Sequence, residues 1–194
     1  MTHKLLLDIP ESIETERLQL RCYQPGDGSW YHRMSLRNKE HLSRYEPDNA
    51  VMTINSEQDA EVTVREFALA WAGRRYFMLG AFLKTTGEFV AQVYIGPMNW
   101  KLPEFQVGYI ADAGHQGQGY VTEAVKAATR FIFEHLQARR ISLECDEANV
   151  RSWKVAERCG FAREGRLREN KLNADGTISD TLYYGLLKSE HKGR

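Results

Sequence analysis

The sequence predicts an α/β fold around a mixed sheet, and three observations carry that expectation. Strand-like runs fill much of the first half. A glycine-rich loop at residues 114–119 then runs into an amphipathic helix. A strand, a short helix and two more strands close the chain, so βαβ-like elements follow the strand-rich part.

Each element has a local reason. Residues 17–23 alternate as a strand, and Pro25-Gly-Asp-Gly28 turns into a helix expected over 29–36. Residues 41–55 lack strong periodicity and are expected to be mobile. Ser56 can cap a second helix whose apolar face is Ala60, Val64, Phe67, Ala68 and Trp71. Residues 76–84 and 89–95 read as strands joined by a hairpin at Thr85-Thr86-Gly87-Glu88, and 105–110 as the fourth strand. Val121, Ala124, Val125, Ala128, Ile132 and Leu136 keep helical spacing. Residues 140–145, 161–169 and 181–187 read as the remaining strands, with a turn at 173–176. Asn149 can cap the short helix between the first two, and Gly160 stands where a helix needs a left-handed stop.

The loop Gly114-His-Gln-Gly117-Gln-Gly119-Tyr120 is the strongest functional signal. Gly117 and Gly119 can take positive φ and leave room for a ligand. The free N–H groups and dipole of the helix behind them favour an anion, so the loop suits a phosphate or pyrophosphate. A mononucleotide P-loop needs Gly-Lys-Ser/Thr, and Tyr120 follows Gly119 here. The dinucleotide fingerprint G-x-G-x-x-G appears only with its spacing reversed, which disfavours a nucleotide-dependent dehydrogenase. A plain glycine turn before an ordinary helix is the competing reading of the loop alone.

Composition narrows the classes. The chain has 194 residues and a formal net charge of zero, the length expected of a single domain over 1–194 without the basic excess of a nucleic-acid binder. Residues 1–20 contain no long apolar run, so neither a signal peptide nor a membrane span is expected. Cys22, Cys145 and Cys159 are scattered without CxxC spacing; free thiols in a reducing cytoplasm are expected, and no metal site.

Taken together, the loop, the Asn149-x-x-Ser152 helix and Cys159-Gly160-Phe161 resemble the GNAT superfamily of acyl-coenzyme A-dependent N-acyltransferases. Thr15-Glu-Arg17-Leu18-Gln-Leu20-Arg21, Gln106-Val-Gly108-Tyr109-Ile110 and Asp180-Thr-Leu-Tyr183-Tyr184 are similar to the RimJ/RimL branch, which acetylates ribosomal-protein N-termini. The resemblance spans about residues 14–188. It implies the GNAT fold, with a mostly antiparallel sheet, helices on both faces and a splayed strand pair at the coenzyme A cleft. There the fourth strand bulges away from the fifth. It implies acetyl-coenzyme A as cofactor, with its pyrophosphate on Gln116, Gly117, Gln118, Gly119 and Tyr120. N–H groups around Tyr109, Ile110 and Ala111 would face pantetheine or the thioester oxygen, and Asn149 would lie beside the pantetheine. Lys154 is a further candidate for the phosphates.

Three residues depart from the family pattern. Gly114 stands where the loop begins with Gln or Arg, Gln106 where many members carry Glu, and Lys171 where some place a carboxylate. The catalytic candidates are therefore Ser152, which could hydrogen-bond the departing thiolate, the Tyr109 backbone, and Glu169, the carboxylate nearest the displaced position. Glu104, Glu144 and Asp146 are further carboxylates. Tyr45 and Trp100 are the aromatics expected at the cleft. No Cys/His or Ser/His nucleophile is evident, so direct transfer to an amine is expected over an acyl-enzyme. The acceptor is a protein N-terminus or a small amine, and the enzyme a monomer or homodimer. A non-catalytic acyl-coenzyme A sensor is the alternative from another class.

Overall fold

The computed structural model describes residues 3–173 and 175–191. Residue 174 of the expected 173–176 turn, and both ends of the 1–194 span, lie outside the described residues. Among the described residues one sheet of eight strands forms: β1 (Ser12–Glu14), β2 (Leu18–Cys22), β3 (Phe77–Leu83), β4 (Phe89–Asn99), β5 (Glu104–Ala111), β6 (Arg140–Asp146), β7 (Ala162–Leu172) and β8 (Ile178–Leu187). Their order across the sheet is β1-β2-β3-β4-β5-β6-β8-β7. Only β5 and β6 are parallel; every other neighbouring pair is antiparallel.

Four helices cover the sheet: α1 (Gly28–Leu42), α2 (Glu57–Ala72), α3 (Tyr120–Glu134) and α4 (Val150–Arg158). On one face Ala124, Ala128, Phe131 and Ile132 of α3 pack on Leu79, Val93 and other strand residues. On the other, Tyr31 and Met34 of α1 and Val64 and Phe67 of α2 close over Tyr23, Phe89 and Ile110. Ser56 caps α2 by accepting from Asp59 N at 3.1 Å.

Several boundaries differ from the sequence expectation, each for a physical reason. Helix α1 runs to Leu42 rather than residue 36. Its second half looks polar, but the buried Asn38 amide is satisfied by Met34 O at 2.9 Å and Asp112 Oδ1 at 2.9 Å. Residues 41–55 are not structureless: Ala50–Thr53 is a 3₁₀ turn, Val51 and Ile54 are buried, and Lys39 Nζ reaches Ile54 O at 2.5 Å. Strand β4 passes through Gly96 and Pro97 to Asn99, tolerated because the ladder to β5 shifts register there. That irregularity places the bulge on β4, the third predicted strand, and not on the fourth. In α2 it is Ala70, not Ala68, that is fully buried.

Gly160 ends α4 with φ +89°. An added Cβ there would meet no atom within 4 Å, so a substitution would act through the backbone alone. Gly160→Ala is expected to lower stability by about 1–2 kcal/mol, the cost of holding a Cβ-bearing residue left-handed. Urea unfolding of the two proteins measures it.

Candidate active site

The site begins where β5 leaves β6. The two strands pair only at Glu104↔Arg140, Phe105↔Ile141 and Gln106↔Ser142. Beyond Gln106, β5 stays paired with β4 as far as Ala111, and β6 stays paired with β8 as far as Asp146. Their facing edges therefore open into a gap. Asp112 N bonds Val90 O at 2.9 Å, which sets the alternation along β5. The N–H groups of Tyr109 and Ala111 point into the gap. Ile110 does not share this role: its N–H turns to β4, and its side chain is buried with α1 and α2.

At the far end of β5 the chain enters the glycine loop. Gly117 has φ +75° and Gly119 has φ +82°. Gly119 is the N-cap of α3, and no side chain caps that helix. Gly117, Gln118 and Gly119 are exposed, so the first N–H groups of a four-turn helix face an open loop. Gln116 contacts the His41 ring at 3.2 Å and the Arg151 guanidinium, joining loop, α1 and α4. Gly114 lies in a 3₁₀ turn and donates to Asp112 Oδ2 at 3.1 Å.

Two acidic side chains beside the loop, Asp112 and Glu123, are both held in ion pairs. Burial would raise the Asp112 carboxyl, but hydrogen bonds from Asn38, His115 and Arg37 outweigh it and hold its pKa low. Glu123, in the first turn of α3, accepts from Thr15 Oγ1 at 2.6 Å, Arg17 N at 2.9 Å and Arg17 Nε at 2.6 Å. Burial again opposes these bonds, yet its pKa falls. Arg17 also donates to Gln118 O at 3.1 Å and lies over the Tyr120 ring. Both carboxylates thus spend their charge on partners within the protein.

In the gap, Ser152 Oγ donates to Tyr109 OH at 3.2 Å, and Tyr109 OH donates to Ser152 O at 2.8 Å. Asn149 Oδ1 caps α4 through Ser152 N at 3.2 Å. Burial raises the pKa of Tyr109, which keeps its proton at neutral pH. Burial also pushes the Cys145 thiol up to about 11. These residues line a cavity of about 310 Å³ together with Tyr45, Glu46, Gln106 and Lys171. Glu144 and Asp146 complete its acidic lining. Asp146 is committed elsewhere: it accepts from Ser179 Oγ at 2.6 Å and Ala148 N at 2.8 Å, and Lys171 Nζ lies 3.8 Å away.

The structure brings Tyr109, Asn149 and Ser152 together and leaves other candidates outside. Glu169 is exposed at the β7 irregularity, with φ +51°, its N–H on Asp180. Lys154 is exposed and lies over the Trp153 ring. Glu104 is tied to Arg140 at 3.0 Å. Of the two cleft aromatics, Tyr45 lines the cavity, while Trp100 packs edge-on against Phe105 away from it. Glu46 was not visible as a site residue in the sequence. It lies in the segment without periodicity, where only the fold shows what it faces.

This cleft has the parts an acyl-coenzyme A needs: an unpaired strand edge and an uncapped helix N-terminus at one end of it. A family profile described as acetyltransferase (GNAT) domain matches residues 17–162. The chain belongs to the GNAT acetyltransferase family. It is an N-acetyltransferase. It is 25% identical over 181 residues to the protein YdaF of Bacillus subtilis (strain 168), covering 92% of this chain and 95% of the relative. A stretch of 85 residues is 32% identical to the ribosomal-protein-serine acetyltransferase of Escherichia coli (strain K12), covering 44% of this chain and 48% of that one. The fold matches RimL, a ribosomal L7/L12 α-N-protein acetyltransferase in complex with coenzyme A. That match has a TM-score of 0.83 and 21% identity over 93% of this chain and all of the other. Among the described residues no helix is long and apolar enough to cross a membrane, and no cluster of three metal-ligating side chains occurs.

An added Cβ on Gly117 would touch nothing in the protein, so its tolerance depends on φ and on the ligand. Gly117→Val is expected to weaken coenzyme A binding by about 10- to 100-fold through about 1–3 kcal/mol of backbone strain and a blocked approach. Calorimetry on the folded variant reads this directly.

Proposed function

We propose that the enzyme acetylates a primary α-amine, at the N-terminus of a protein or peptide, by direct attack on the thioester. The observation that carries this reading is the open β5 edge beside the Ser152–Tyr109 pair, within a cavity that holds carboxylates but no activated nucleophile. The Ser152 hydroxyl bonds a phenol rather than an imidazole. The Cys145 thiol, at about 11, is protonated at neutral pH. Neither is suited to form an acyl-enzyme.

The pyrophosphate is assigned to the backbone of residues 116–120 and the pantetheine to the β5 edge. The N–H groups of Tyr109 and Ala111 are placed to hold pantetheine and the thioester carbonyl; oriented donors of this kind are worth about 3–4 kcal/mol in a transition state. Ser152 turns its hydroxyl from Tyr109 to the departing sulfur, while Asn149 holds the start of α4 in place. Glu46, Glu144 and Asp146 outnumber Lys171 and favour a cationic acceptor. The local likeness to a ribosomal-protein-serine acetyltransferase supports a protein terminus over a small amine. Three free thiols support work in the cytoplasm.

Two outcomes test the assignment. Ser152→Ala is expected to lower kcat by about 10- to 1000-fold and to leave the coenzyme A dissociation constant unchanged, because the bond to sulfur matters only as charge develops. Steady-state kinetics and calorimetry separate the two effects. The acceptor follows from basicity: an α-amine near about 8 is roughly 250 times richer in neutral form at pH 7 than a lysine near about 10.4. A peptide carrying both is expected to gain its acetyl group at the N-terminus, located by tandem mass spectrometry. Modification of lysine beside a free, accessible terminus would overturn the reading.

A further inference from the structure

Two positions where the family resemblance would look for a carboxylate hold Gln106 and Lys171, and both line the cavity. Neither a neutral amide nor an ammonium can take a proton from an incoming amine. We propose that Glu46, at the end of the turn that follows α1, is the base that receives the acceptor's proton, a role that rests on the amine-transfer reading above.

Position and surroundings carry the assignment. Glu46 lines the same cavity as Tyr109 and Ser152, and its N–H bonds Leu42 O at 2.8 Å, so the chain presents it as an extension of α1. Glu46 is an exposed residue, yet protein atoms crowd its carboxyl. That crowding raises its pKa, against the opposing charge of Lys171 and a hydrogen bond from Asn49. A raised carboxyl is a better base, and solvent contact gives the proton an exit.

The other charged and titratable groups of the cavity differ from Glu46 in their surroundings. Asp146 on β6 spends its oxygens on Ser179, Ala148 and Lys171. Glu144, beside it, is exposed as Glu46 is, and Glu144→Gln in the assays below separates the two carboxylates: a loss there equal to that of Glu46→Gln would overturn the assignment. Lys171 on β7 is the one cation in the lining. The phenols Tyr94 on β4 and Tyr109 on β5, and the Cys145 thiol on β6, all have raised pKa values and stay protonated. Tyr45 and Asp48 flank Glu46 on its own segment.

The protons balance. The acceptor arrives as an ammonium and gives one proton to Glu46, which releases it to solvent. The freed nitrogen lone pair forms the C–N bond to the acyl carbon as the C–S bond breaks. The second nitrogen proton is lost once that bond forms, and one proton ends on the coenzyme A sulfur. The products are the amide, the thiol and one proton in solution.

The test compares wild type, Glu46→Gln and Glu46→Asp, with acetyl-coenzyme A and two acceptors. One is a short peptide with a free N-terminal serine. The other is trifluoroethylamine, whose fluorines make it weakly basic, so that it is largely neutral at the assay pH. With the peptide, Glu46→Gln is expected to lose about 100- to 10,000-fold in kcat. Calorimetric affinity for coenzyme A should stay unchanged. The sign of the pH effect follows from the base being active when ionised: wild-type rate falls as pH drops through the raised Glu46 pKa. That limb should vanish in Glu46→Gln and persist, at reduced kcat, in Glu46→Asp. With trifluoroethylamine the deficit should shrink, since there is little ammonium to deprotonate. A Glu46→Gln enzyme with native kcat and native pH profile would overturn the base while leaving amine transfer standing. So would equal deficits for both amines, or a parallel loss of coenzyme A affinity, which would mark a structural role. A wild-type enzyme that transfers to neither amine would overturn the transfer reading itself.

Discussion

Every strand edge inside a sheet must hydrogen-bond to something, and this sheet leaves one pair of edges without a protein partner. β5 and β6 share three residue pairs and then part, each held to its outer neighbour. The N–H and C=O groups left facing the gap are buried-sheet groups in search of a partner. An extended ligand that lies in the gap satisfies them as an added strand would. β5 and β6 form the parallel pair of the described sheet, so the chain leaves β5 through α3 before it returns as β6. The same crossover sets the helix N-terminus at the mouth of the gap, so the open strand edge and the uncapped helix start come from one topological event.

Around that mouth the charges are arranged so that an anion is not repelled. Asp112 and Glu123 both stand near the loop, and each is saturated by partners from distant parts of the chain. Asp112 takes Arg37 and Asn38 from α1; Glu123 takes Thr15 and Arg17 from the segment before β2. Both carboxylates therefore fasten the loop to the sheet and α1 at once, and spend their charge in doing so. The acceptor end is the opposite case. There three carboxylates share the lining with one lysine, and a cation is the natural guest.

Much of this was legible along the chain. The helical spacing of α3, the caps Ser56 and Asn149, and the glycines at 117, 119 and 160 are local signals, because φ preference and capping involve residues a few positions apart. The positive φ of the loop glycines and the place of Ser152 at the start of α4 could be read for the same reason. The limits of α1 and β4 could not. Asn38 in α1 is tolerated only because Asp112, far along the chain, receives its amide. Pro97 in β4 is tolerated only at a register shift that depends on β5. Glu169 looked promising by proximity in sequence, but β7 leaves its ladder there and carries the side chain to solvent.

What the sequence by itself determined is the class of fold, the glycine loop before α3 and the caps, since each rests on short-range geometry, while the family resemblance implied the coenzyme. What only the tertiary structure decided is which carboxylates line one cavity. Glu46 lies in a stretch with no periodic pattern, and Gln106, Lys171 and Ser152 come from three other elements. Their meeting in one cavity depends on where β5 parts from β6 and on how the turn after α1 crosses that gap. A base is made by its surroundings, and surroundings gathered from distant elements leave no local mark in the chain.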